Sequence, residues 1–253
     1  MRSEQRHQII LQVLNARGKL TIADLSARFS VSEMTIRRDL DRLEADGMLR
    51  RTHGGAVRTQ SGSFEPPFAL RLGMNLNAKR AIAAMVAKEI VDGQTLVLDG
   101  GSTGTVIAEA LVGRPVTVCA LNMRVAQILA SSPETTVMVP GGQVRHSEQS
   151  FVGPAAERTL LDYRFDTYVM TASAIDAVAG LTEWNVDDVA VKRASLASSA
   201  RCIVACDSSK FGQTAFARIT GLDQVDLVIS DSELSAEHRQ AVHVAGPALL
   251  RLA

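Results

Sequence analysis

The run Asp99-Gly100-Gly101-Ser102-Thr103-Gly104-Thr105 gathers residue types that hold an anion. Gly100 and Gly101 let the backbone turn tightly and approach a ligand closely. Ser102, Thr103 and Thr105 bring hydroxyls. The unbonded N–H groups of a following helix would point at the same place, a combination suited to one phosphate. The run also serves as an ordinary strand-to-helix turn with capping hydroxyls. Three cations lie far from it in the chain. Lys192 follows Asp187 and Asp188, and a lysine among carboxylates binds a sugar hydroxyl or a phosphate, or moves a proton. Lys210 ends Asp207-Ser208-Ser209-Lys210, and Arg145 follows Gly141-Gly142. Each of the three suits ligand binding or a solvated surface.

A second group is cationic and near the amino end. Ser32 and Thr35 precede Arg37, Arg38 and Arg42. Guanidinium forks pair with guanine edges or phosphates, and short hydroxyls reach either. Arg50, Arg51 and Arg58 flank His53-Gly54-Gly55, where they would grip phosphates or lie along a minor groove. A solvated arginine face is the plainer reading of the same residues.

Other chemistries fit less well. The glycine run is not GxGxxG, the residues Ala120, Leu121 and Asn122 offer no carboxylate for a ribose, and no GxxxxGK[ST] occurs. Cys119, Cys202 and Cys206 lack the spacing of a zinc site or a disulfide framework and read as buried thiols. No metal and no cofactor is expected. The amino end does not read as a signal peptide, and no apolar run reaches the ~18 residues of a membrane span. A reducing cytoplasm fits these features. The zero formal net charge hides an asymmetry. Residues 1–60 carry 11 Lys/Arg against 7 Asp/Glu, and residues 61–253 carry 16 against 20. A basic head on an acidic body suggests that the head meets a polyanion.

The elements that would position these residues follow from periodicity. Ser3 caps a helix with apolar Ile9, Ile10, Val13 and Leu14, and Gly18 ends it. Thr21 caps a second, with Asp24 as its capping partner and Ile22, Leu25 and Phe29 as its buried stripe. After Ser30-Val31, Ser32 caps a third that runs to about Asp46. Its Ile36, Leu40 and Leu43 face inward and leave Thr35, Arg37, Arg38, Asp41 and Arg42 outward. Helix, short turn, helix is the helix-turn-helix pattern, and Gly54-Gly55 marks a hairpin beside it, a wing.

Thr59 to Pro67 is polar and proline-containing, a linker. A helix over Ala78–Val91 follows. Short strands at Thr95–Leu98, Val116–Cys119, Thr136–Val139, Thr167–Thr171, Cys202–Ala205, Leu227–Ile229 and around Val242–Val244 then alternate with helices. This pattern implies an α/β domain with a mostly parallel sheet covered on both faces. Ligands bind beyond the carboxyl ends of such strands. Asp99–Thr105, Asn122, Gly141-Gly142, Thr171–Ser173 and Asp207–Lys210 all fall there.

The run VSEMTIRRDLDRLEADGMLRRTHGGAV, with TIRRDL at 35–40 and HGGA at 53–56, resembles the DeoR family of bacterial repressors. The resemblance extends over DGGST, Asn122, Gly141-Gly142, Gly153, VKR at 191–193 and DSSKFG at 207–212. It implies a winged helix-turn-helix domain at 1–58, a linker at 59–77 and an effector-sensing α/β domain at 78–253, related in fold to sugar-phosphate isomerases. It also implies that Asp99, Gly101, Ser102, Thr103, Asn122, Lys192 and Lys210 line a pocket for a phosphorylated sugar or related metabolite. Gly100, Thr105, Gly142 and Arg145 join that candidate set by position. Ser32, Thr35, Arg37, Arg38, Arg42, Arg51 and His53 form the DNA-binding set. Leu121 stands where the family often has Thr, and Asp188 where Glu is common. The expected function is a repressor of a carbohydrate operon, acting on double-stranded operator DNA as a homo-oligomer. The competing readings are a sugar-phosphate isomerase-like enzyme with a DNA-binding appendage and, with the same parts, an activator or dual regulator, since no residue fixes the sign of regulation.

Overall fold

The computed structural model describes residues 3–58, 65–246 and 249–253, and at Glu4, Gln8, Gln12, Asn15, Ala16 and Arg58 only the backbone. The chain divides into two compact units, Met1–Met74 and Asn75–Ala253.

The first unit holds α1 (Ser3–Arg17), β1 (Lys19–Thr21), α2 (Ile22–Phe29), α3 (Glu33–Ala45), β2 (Leu49–Thr52), β3 (Gly55–Arg58) and α4 (Phe68–Gly73). Ile10, Leu14, Leu25, Ile36, Leu40 and Leu43 form its core, each at most 1% exposed. Gly18 and Gly47 take the left-handed backbone that ends α1 and follows α3. The strands pair antiparallel in the order β1-β3-β2. Strand β1 had no signal in the periodicity. Its pairing explains Gly55, where a Cβ would lie 1.9 Å from the Leu20 carbonyl oxygen. The hairpin turn itself is His53-Gly54, between the paired Thr52 and Gly55.

Two expectations change here. Ser3 is the first residue of α1 rather than its cap, and its hydroxyl donates to Asp39 at 3.2 Å. Within the run 59–77 read as a linker, residues 59–64 lie outside the described residues. Residues 68–73 are helical, and Leu70 packs on the core of the first unit. Polar and proline content had masked that short helix.

The second unit begins with α5 (Leu76–Glu89), β4 (Thr95–Leu98), α6 (Gly101–Leu111), β5 (Thr117–Ala120), α7 (Met123–Leu129) and β6 (Thr136–Met138). The hairpin β7 (Gln143–Arg145) and β8 (Ser150–Val152) and helix α8 (Pro154–Leu161) lead to β9 (Phe165–Met170). Then come β10 (Ala174–Asp176), β11 (Gly180–Glu183), α9 (Val186–Ala197), β12 (Ser199–Ala205), β13 (Ala217–Thr220), β14 (Leu227–Ser230), α10 (Ala236–Ala245) and β15 (Leu249–Leu252).

Among the described residues the main sheet has seven strands in the order β15-β14-β12-β9-β4-β5-β6, and every pair in it is parallel. Alternate residues feed two cores. Leu96 and Leu98 of β4 pack with α5, α6 and α7, and Val97 packs with α8 and α9. The strand expected around Val242–Val244 is instead part of α10. The Ser235 hydroxyl caps that helix by accepting from the His238 N–H at 3.2 Å. Val242 is buried and Val244 is 74% exposed, so the two do not share a strand face. The last strand is β15, parallel to β14. A three-stranded antiparallel sheet, β10-β11-β13, and the β7–β8 hairpin were not anticipated.

From β4 the chain steps outward one way to β5 and β6. From β9 it steps the other way to β12, β14 and β15. The order therefore reverses between β4 and β9, and a crevice opens at the carboxyl ends of such a pair.

Candidate functional site

Asp99 is the first residue after β4, and Thr171 the first after β9. They meet across the crevice. Asp99 Oδ2 accepts from the Thr171 N–H at 3.0 Å and its hydroxyl at 3.2 Å, and Asp99 Oδ1 accepts from the Gly100 N–H at 2.7 Å. Lys192, from α9, places its Nζ 2.7 Å from Asp99 Oδ2 and 2.9 Å from Glu183 Oε2, and donates to the Thr171 carbonyl at 2.8 Å. Three N–H groups thus have three acceptors. Burial works against the Lys192 ammonium, but Asp99 and Glu183 hold its pKa well above the usual lysine range. Glu183, at the end of β11, also accepts from the Ser173 hydroxyl and from the Trp184 N–H.

Asn122, after β5, spends its amide on the protein. Its Nδ2 donates to the Glu148 carbonyl at 2.8 Å, and its Oδ1 caps α7 by accepting from the Arg124 N–H. It packs so close to Gly100 that a Cβ there would lie 2.9 Å from the Asn122 Cβ. Arg145 pairs with Asp188 at 2.6 Å, and the Ser150 hydroxyl donates to the same carboxylate. Burial raises the Asp188 pKa against the pull of Arg145. The Thr105 hydroxyl bonds back to the Gly101 carbonyl. Gly142 is exposed, with a Cβ position 2.5 Å from the Val152 carbonyl oxygen, so it permits close packing on the hairpin.

The predicted set therefore divides. Asp99, Thr105, Asn122, Arg145 and Lys192 turn their polar groups onto the protein and build the frame. Gly101, with φ of 74°, opens α6, and the first-turn N–H groups of Gly101, Ser102 and Thr103 have no carbonyl within the helix to bond. The Ser102 and Thr103 side chains are buried at 6% and 7% exposure beside them. Lys210 lies in the turn after β12, a strand two places from β4 in the sheet. Its Nζ stands 5.4 Å over the Trp184 ring. The turn is held by Asp207, which accepts from the Ser209 hydroxyl at 2.5 Å and from Asn75 Nδ2 at 2.9 Å. Burial alone would raise the Asp207 pKa, but Lys210 and these hydrogen bonds bring it below the usual value. Sequence reasoning missed Glu183, Ser150 and Gly104. At Gly104 a Cβ would lie 2.2 Å from the Asp99 carbonyl oxygen, so glycine lets α6 reach β4.

In the first unit, Ser32 caps α3, accepting from the Thr35 N–H at 3.2 Å. Arg37, Arg38 and Arg42 are exposed, and Arg37 lies 3.5 Å from Glu33 one turn back. Arg51 of β2 folds onto the helix instead. Its guanidinium bonds the Asp41 carboxylate and the Arg37 carbonyl, and its N–H donates to Glu44 at 2.6 Å. His53 is exposed at the hairpin tip. Asp39, the acid of TIRRDL, is buried. It pairs with Arg6 at 2.5 Å and His7 at 2.9 Å and so clamps α1 to α3. Burial would raise its pKa, but the Arg6 and His7 hydrogen bonds hold it below the usual range.

Two family models match the chain. The DeoR-like helix-turn-helix domain covers residues 6–62, and the DeoR C terminal sensor domain covers residues 74–232. This chain belongs to the DeoR family of transcription regulators. YulB of Bacillus subtilis, an uncharacterized HTH-type transcriptional regulator, is 34% identical over 230 residues, 91% of this chain and 89% of its own. The glycerol-3-phosphate regulon repressor of Escherichia coli is 31% identical over 233 residues, 92% of each chain. The transcriptional repressor AccR of Agrobacterium fabrum is 33% identical over 233 residues, 91% of this chain and 90% of its own. Ribose 5-phosphate isomerase A from Neisseria gonorrhoeae overlaps 53% of this chain and 52% of its own at 14% identity, with a TM-score of 0.39. As a DeoR-family member the chain is a DNA-binding regulator, and the enzyme reading gives way to that. Among the described residues no helix is long and apolar enough to cross a membrane.

Proposed function

We propose that this DeoR-family chain is a repressor that binds operator DNA through α3 and the β2–β3 wing and is controlled by a phosphorylated sugar or polyol. The supporting observation is the junction of β4 and β9. The first turn of α6 begins there with N–H groups that have no acceptor within the helix and with the buried Ser102 and Thr103, beside a frame fixed by Asp99, Lys192 and Glu183. A phosphate suits that turn. Lys210, in the turn after β12, neutralises charge, and the frame carboxylates hold the turn and Lys192 in place. The name of the glycerol-3-phosphate regulon repressor points to the same ligand class.

On DNA, Arg37 and Arg38 approach base edges while Ser32, Thr35, Arg42 and His53 reach the backbone. Arg51 acts indirectly, by fixing the wing to α3. One short head reads few base pairs, so the chain works as a homo-oligomer on repeated half-sites. Three free, buried cysteines suit a reducing cytoplasm. Control is linkage: the effector must bind the DNA-competent and DNA-incompetent states with different affinity.

The test is to select duplexes from a random pool and measure binding against salt. Wild type should pick a defined sequence with salt-dependent affinity, and Arg37→Ala with Arg38→Ala should lose the preference while staying folded. Equal affinity for every duplex would count against the reading. A thermal-shift screen of phosphorylated sugars and polyols should raise the midpoint for wild type and not for Ser102→Ala with Lys210→Ala.

A further inference from the structure

Helix α3 carries one large apolar side chain that its packing does not explain. Met34 is 60% exposed, and it is the one exposed large hydrophobic among the described residues of the first unit. Its direction follows from helix geometry. At about 100° per residue, the buried Ile36, Asp39, Leu40 and Leu43 share one side of α3. Met34 points within about 10° of the opposite direction. Arg38 lies one turn beyond it on the same ridge, and Arg37 flanks it. Asp41, further along, is occupied by Arg51. The outermost ridge of the first two turns is therefore Met34 followed by Arg38.

We propose that Met34 is a base-reading residue that packs its thioether end against the 5-methyl group of a thymine in the major groove. This rests on the reading of α3 as the DNA-facing helix. The amino-terminal residues of a recognition helix lie nearest the base edges. The only apolar group on a base edge there is the thymine methyl, which side chains distinguish by contact. Met34 is the second residue of α3, and an unbranched thioether fills such a contact from several angles. Arg38 then reads a neighbouring purine, so the ridge pairs an apolar contact with a polar one.

The experiment starts from a duplex selected by the wild-type chain. Each thymine is replaced in turn by uracil, which removes the methyl and keeps every hydrogen-bonding group. Wild type should lose about fourfold in affinity at one thymine of a half-site, the value of one buried carbon. Met34→Ala should bind the thymine and uracil duplexes equally, with an unchanged melting temperature because the side chain is exposed. Indifference of wild type to uracil at every position would overturn the proposal. So would a Met34→Ala protein that keeps the same sensitivity, since another residue would then read the methyl. If selection yields no preferred duplex, the DNA-reading assignment of α3 itself fails, and this one with it.

Discussion

The Lys192 ammonium lies 2.7 Å from the Asp99 carboxylate, although the two residues stand 93 positions apart in the chain. Both are buried, and Glu183 closes the triad from the other side. Lys192→Met should leave two carboxylates buried without their cation. Removing one partner of a buried pair costs about 3–5 kcal/mol. The second unit should therefore unfold at lower denaturant in Lys192→Met while the first unit keeps its own transition. An unchanged midpoint would mean that the triad is wet and not a frame.

Asp39 ties pH to the first unit. Its folded pKa lies below the unfolded value of ~3.9. The stability it contributes is therefore present above about pH 4 and is lost as pH falls through the lowered folded value. Acid titration of the first unit followed by circular dichroism should show this loss in wild type. In Asp39→Asn the stability at neutral pH should already be lower, and the acid dependence flatter.

Gly104 tests the approach of α6 to β4. A methyl there meets the Asp99 backbone oxygen and cannot be relieved by a side-chain rotation. Gly104→Ala should cost about 1–3 kcal/mol. It should also weaken effector binding, because the N–H groups of the first turn move with the helix. Calorimetry on the variant measures both.

Arg42 and Arg51 should separate by salt. Arg42 is exposed, whereas Arg51 already neutralises Asp41. Arg42→Ala should lower the slope of log affinity against log salt by about one phosphate contact. Arg51→Ala should weaken binding by loosening the wing and leave the slope nearly as it was. Equal slopes for the two variants would contradict this division.

The helix-turn-helix was legible because its signals are local: Thr21 and Ser32 cap, Gly18 and Gly47 stop, and Ile36, Leu40 and Leu43 repeat at helical spacing. The glycine run after β4 was legible for the same reason. The strand order was not, since which parallel strands lie side by side depends on packing across distant segments. The contact between Asp99 and Thr171, and with it the place of the crevice, therefore could not be read. Glu183 was missed because it closes a strand of the small antiparallel sheet, which no periodicity announced. Arg51 looked like a phosphate cation in sequence, and only the fold brings Asp41 to it. Val242 and Val244 mimicked a strand because two apolar residues with one between fit either period.

The most direct test is a pair of titrations with the selected duplex and a phosphorylated compound that raises the melting temperature. The effector should change the DNA dissociation constant by some factor, and DNA should change the effector dissociation constant by the same factor. Ser102→Ala with Lys210→Ala should abolish both changes together. A compound that binds this unit tightly yet leaves DNA affinity unmoved would contradict the account.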